Sequence, residues 1–148
     1  MITNQFEMEW QELLAIHHHG SFEYVDSLER FREVVSRHFG LFKGKPKYGV
    51  YVVRQKSTNE VLYVGKGGTI DNQGSFKGQD IPGRLRNVRA NNVSANEWYA
   101  ALLNETGPLL IEYVFLGMRP VSPGLAEARL LQAYLNDHGH LPSCNKSL

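Results

Sequence analysis

Glu127, Leu130, Leu131 and Tyr134 stand at i, i+3, i+4 and i+7, which is one face of a helix. Three of the four are apolar, so the carboxylate is directed towards the packed side. A carboxylate there is costly without a partner, and the partner is an arginine, a cluster of donors or a metal ion. A structural salt bridge at the edge of the core satisfies it as well as a metal does. Arg84 follows a glycine-rich stretch and opens a second helix, where guanidinium and backbone N–H groups together favour a phosphate. Two more arginines, Arg86 and Arg89, follow it, and a surface position explains all three equally. Tyr51 and Tyr63 lie in two β-type runs, each near a glycine (Gly49 and Gly65) that lets another group approach the backbone.

Charge distribution points the same way. Residues 43–89 hold ten Lys/Arg, among them Lys66, Lys77, Arg84, Arg86 and Arg89, against three acids, a net +7. The rest of the chain carries −6. A basic middle on an acidic frame suits a polyanion, because Lys and Arg contacts to phosphate dominate nucleic-acid affinity. His138 and His140, either side of Gly139, are further candidates for phosphate contact. His17-His18-His19 could ligate a transition metal, but neighbours on a helix end point in different directions, so it reads as a surface run.

These groups need a scaffold. At 148 residues the chain fits a single domain able to bury its own core. No apolar run approaches the ~18 residues of a membrane span. The acidic, amphipathic N-terminus is unlike a signal peptide. The lone Cys144 suits a reducing, cytoplasmic setting.

Phe6, Trp10, Leu13 and Leu14 mark a first helix ended by Gly20. Asp26 or Ser27 caps a second, with Leu28, Phe31, Val34, Val35 and His38 on its stripe and Gly40 closing it. Residues 1–46 thus read as a two-helix extension, and 47–148 as the core. Residues 50–53 and 61–64, joined by the turn Ser57-Thr58-Asn59, form an antiparallel hairpin. The glycine-rich segment 67–80 reads as a mobile loop. Asp80 caps a helix with Pro82 in its first turn and Leu85 and Val88 facing inward. A short helix over 95–104, a third strand over 109–116 and a helix from Ser122-Pro123 through Tyr134 or beyond complete an α+β pattern. Trp10 and Trp98 sit in helical patterns as core residues.

Taken in order, these residues resemble the GIY-YIG nuclease family. Its first signature corresponds to Gly49-Val50-Tyr51, its second to Tyr63-Val64-Gly65 followed by Lys66. The family's arginine early in a helix corresponds to Gly83-Arg84-Leu85, and its helical glutamate to Glu127-Ala128-Arg129-Leu130-Leu131. Pro142 and Asn145 match the terminal elements, so the resemblance covers roughly two-thirds of the chain. Valine replaces isoleucine in both signatures, and Val88 stands where many members carry a histidine.

The resemblance implies a small three-stranded antiparallel sheet flanked by helices and Mg²⁺- or Mn²⁺-dependent hydrolysis of DNA phosphodiesters, of restriction or repair type. It implies that Tyr51 activates the attacking water with support from Tyr63 and Lys66. Arg84 would neutralise the phosphate, Glu127 would hold the metal and Asn145 would brace the site. A homodimer would suit double-strand cuts. The rival readings are a nucleic-acid-binding module without turnover, and an interaction protein using its N-terminal helices.

Overall fold

The computed structural model describes residues 4–148. The elements are α1 (Gln5–Ile16), β1 (His19–Tyr24), α2 (Phe31–Phe39), β2 (Gly49–Gln55), β3 (Val61–Gly67), β4 (Thr69–Ile70), β5 (Phe76–Lys77), α3 (Ile81–Leu85), α4 (Ala95–Thr106), β6 (Leu109–Phe115) and α5 (Pro123–His138). The mixed α+β class agrees with the sequence reading. Residues 1–3, part of the N-terminus read as acidic and amphipathic, lie outside the described residues. Among the described residues no helix is long and apolar enough to cross a membrane.

The main sheet has four antiparallel strands, not three, in the order β1-β6-β2-β3. The added strand, His19–Tyr24, lies where the sequence reading had Gly20 ending the first helix and gave the residues after it no element. Phe22 and Tyr24 are buried while Ser21 and Glu23 are exposed, the period-2 pattern of a strand with one covered face. Gly20 does not terminate a helix. It lies opposite Tyr113 on β6, and a Cβ there would overlap the Tyr113 ring.

The same pairing recurs on the other side of the sheet. Tyr51 on β2 lies opposite Gly65 on β3, where a Cβ would collide with the rings of Tyr51 and Tyr63. Tyr51 and Tyr113 are themselves partners. One row therefore crosses all four strands as Gly20, Tyr113, Tyr51 and Gly65, two large rings in the middle with room left for them at both edges.

Each face of the sheet is covered, giving three layers. Tyr51, Val53, Ile111 and Tyr113 pack with residues of α2, α3 and α4; Val50, Val52, Val64 and Val114 pack with residues of α1 and α5. The N-terminal segment is thus no detachable extension. Helix α1 belongs to one layer, β1 to the sheet and α2 to the other layer. Asp137 at the end of α5 accepts hydrogen bonds from the backbone N–H groups of Gln5 and Phe6, both at 2.9 Å. Glu7 on α1 forms a forked pair with Arg54, which is 2% exposed and also donates to Glu112.

Other expectations shift for local reasons. Leu28 is 92% exposed and precedes α2, because Asp26 accepts from the Leu28 N–H in a turn instead of capping a helix. The glycine-rich loop carries the two-stranded β4-β5 ribbon, held at its turn by Asp71, which accepts from Gln73 and Ser75. Asp80 caps α3 as read, accepting from Gly83 N–H at 3.0 Å. That helix stops at Leu85, and Val88 is 55% exposed rather than inward. The Asn87 side chain accepts from the Val88 N–H, and Arg89 N–H donates to Val93, which diverts the backbone from the helix. Helix α5 starts as read, with Ser122 accepting from Leu125 N–H, and runs beyond Tyr134 to the left-handed Gly139.

Candidate active site

β3 is an edge strand, and its free edge is where the two helical layers meet. Tyr63 projects to the side shared with Tyr51, and Lys66 to the side covered by α5. Gly67 makes the next step possible, because a Cβ there would strike the backbone of Asp80 and Ile81. Without a side chain at Gly67, the start of α3 seats against β3 and brings Arg84 to the same edge. Glu127 arrives from the first turns of α5. Tyr63, Lys66, Arg84 and Glu127 together line a cleft of about 500 Å³. Tyr63, Arg84 and Glu127 also line an adjoining cleft of about 620 Å³, joined there by Arg89, Trp98 and Asn145.

Glu127 is half-buried and is the one acidic residue among those lining the two clefts. Burial pushes its carboxyl above the usual carboxylate range, and the nearby cations Lys66 and Arg84 pull it back in part. Neither cation is an ion-pair partner of Glu127 among the described residues. The salt bridge that would have made this carboxylate purely structural is missing there. An unpaired, partly desolvated carboxylate facing an open cleft suits one divalent cation whose other ligands are phosphate and water. No group of three or more His, Cys, Asp or Glu side chains that could hold a metal occurs among the described residues. His17, His18 and His19 do not form one; the His18 ring packs on Phe42 and Phe115.

The two tyrosines have unequal positions. Their rings lie 6.0 Å apart at 43°, as cross-strand neighbours on one face. Tyr51 is 0% exposed and lines neither cleft; its hydroxyl makes no hydrogen bond of good geometry, although the Arg89 guanidinium lies close to it. Burial drives its hydroxyl well above the usual tyrosine value, with Tyr63 adding to the rise; the charges of Arg89 and Arg84 oppose it without prevailing. Tyr63 is half-buried and lines both clefts. The resemblance gives the leading role to Tyr51, but of the two tyrosines it is Tyr63 that lines the clefts.

Arg89 stacks between the two aromatic walls, 4.7 Å from the centroid of Tyr63 and 4.5 Å from that of Trp98. Trp98, read as core, is a cleft wall. It stands beside the fully buried Tyr99, and helical periodicity does not distinguish the two. Asn145 is a brace in the literal sense. Its Nδ2 donates to the Val64 carbonyl and its Oδ1 accepts from the Val64 N–H, both at 2.9 Å. With Cys144 N–H donating to Leu62 O, the C-terminal segment covers part of the open edge of β3.

Several candidates lie elsewhere. Arg86 donates to Ser36 on α2 and faces away from Glu127. Lys77 is exposed on β5 and lines neither cleft. His138 is the last residue of α5 and His140 follows it, which puts His138 roughly 16 Å along the axis from Glu127. There they pack around Tyr134. The basic middle is also less basic than its count, since Arg54 is buried against Glu7 and Glu112, and Lys56 pairs with Glu23 at 2.5 Å. No family model, curated protein or solved structure matches this chain.

Proposed function

We propose that the protein is a metal-dependent endonuclease that hydrolyses DNA phosphodiesters in the cleft at the free edge of β3. The observation that supports this best is the convergence of Tyr63, Lys66, Arg84 and Glu127, from two helices and a strand edge, around one opening. Two cations and a phenol beside an unpaired carboxylate suit a phosphate that is attacked by water.

Glu127 would hold Mg²⁺ or Mn²⁺, whose chemistry is to neutralise charge developing on the phosphate and the leaving oxygen. Arg84 grips the non-bridging oxygens of the phosphate, a task its planar fork suits. Tyr63 orients the attacking water by hydrogen bonding and acts on it as the positioned acid–base group. Lys66, across the strand edge, offers a second contact to that water or to the phosphate. Arg89 supports Tyr63 from behind through its ring face. Tyr51 fills the space beneath and fixes where the Tyr63 ring lies.

A binding module without turnover draws support from the scarcity of carboxylates around Glu127. Purified protein mixed with supercoiled plasmid separates the two. The nuclease reading expects nicked and linear DNA with Mg²⁺ or Mn²⁺ and none with EDTA. Retarded but intact plasmid under all three conditions contradicts it.

A further inference from the structure

Arg84 on α3 and Arg86, which caps its C-terminal end in helical conformation, are two residues apart and so point to opposite sides of it. Arg84 faces the cleft with Glu127. Arg86 faces a second trough, of about 740 Å³, on the other side of α3. Arg30 and Arg32 of the α2 entry line that trough with Arg86, against Glu33 as its one acid. Neither Arg30 nor Arg32 takes part in an ion pair among the described residues. Asn87 and Val88 belong to the walls of both the trough and the cleft, so they form the divide between them. Val88 tops it with 55% of its surface exposed. The molecule therefore presents a ridge, the end of α3 and its following turn, with cationic hollows on both flanks.

We infer that this ridge enters the major groove of duplex DNA, the cleft taking the strand to be cut and the Arg30–Arg32–Arg86 trough taking phosphates of the opposite strand. A helix with its side chains is about 10–12 Å across, and the major groove is about 12 Å wide. Two phosphate backbones border such a groove, which matches cations on both flanks of one ridge better than a single strand does. The crest itself carries no charge, only the amide of Asn87 and the apolar Val88. A-form RNA closes its major groove to side chains, so the fit is to DNA. The N-terminal segment then supplies substrate contacts as well as a strand and two helices. This inference rests on the nuclease reading.

The test pairs Arg30→Gln/Arg32→Gln with the parent. Both side chains are exposed, so the variant melts with the parent. Binding to a short fluorescent DNA duplex, to one of its strands alone and to an RNA duplex is followed against salt in EDTA. Each phosphate that is no longer neutralised takes about 0.9 off the log–log salt slope on duplex DNA. The slope on duplex DNA is expected to flatten by up to about 1.8, while the single-strand slope stays unchanged. A parent that binds and cuts DNA, with a variant whose duplex slope is unaltered, overturns this inference and leaves the nuclease reading intact. So does an equal loss on single strands, or an RNA duplex that binds the parent as tightly as DNA. A parent that neither binds nor cuts DNA overturns both.

Discussion

Tyr51→Phe separates packing from chemistry at the centre of the sheet. The substitution keeps the ring that Gly65 and Tyr113 accommodate and removes only a hydroxyl that is sealed from solvent and makes no hydrogen bond of good geometry. A buried polar group without a partner costs about 1–3 kcal/mol. The oxygen returns part of that through its packing against neighbouring atoms, at ~0.1–0.2 kcal/mol for each atom pair. The adjacent Arg89 guanidinium offsets a further part, so the variant is at least as stable as the parent, with a gain of up to about 1 kcal/mol on that scale. For a chain of this size each kcal/mol moves the melting temperature by about 2–4 °C, so scanning calorimetry resolves the gain. Single-turnover cleavage of plasmid at saturating enzyme reads the chemical step apart from binding. The rate stays near the parental one for Tyr51→Phe, whereas Tyr63→Phe slows it by ~10²-fold or more, the loss typical of a positioned acid–base group. A Tyr51→Phe protein that melts lower, or that cuts ~100-fold more slowly, refutes the reasoning and returns the leading role to Tyr51.

Asn145→Ala strips two hydrogen bonds from Val64 and frees the edge of β3; it is expected to destabilise the protein by about 1–3 kcal/mol in denaturant melts. Glu7→Gln weakens the forked pair that ties α1 to Arg54 and is expected to cost about 1.5–3 kcal/mol in the same melts. Burial raises Glu127 above the ordinary carboxylate range, so its ionised form opposes folding: the stability of the parent falls as pH rises through the raised value. Glu127→Gln without divalent cations is thus expected to melt above the parent at pH 7. The gap closes below about pH 4.3, where the carboxyl is protonated in both states, and a variant melting lower at pH 7 contradicts the sign.

Much of the scaffold was legible from local pattern. The β2-β3 hairpin carries β-branched runs around a turn whose Asn59 adopts a left-handed conformation, and Asp80 and Ser122 cap as their spacing implied. The fourth strand was not legible. HGSFEY is short, follows a helix without a break, and contains a glycine whose purpose, to clear Tyr113, is visible only once β1 and β6 are paired. In the site, Glu127 was legible because one carboxylate interrupts an apolar stripe. The choice between Arg84 and Arg86 was not, since both follow the same loop and only the seating of α3 against Gly67 separates them. The difference in burial between Tyr51 and Tyr63 was hidden for a similar reason. Each sits in a like motif, and the neighbouring layers decide which of the two is sealed.

The central claim, that the cleft around Glu127 cuts DNA, is tested most directly by single-turnover cleavage of plasmid with saturating Glu127→Gln protein and Mg²⁺. The account predicts a rate at least ~10²-fold below the parent with undiminished DNA affinity, because the variant loses a ligand and a negative charge but no cation. A rate close to the parental one contradicts it.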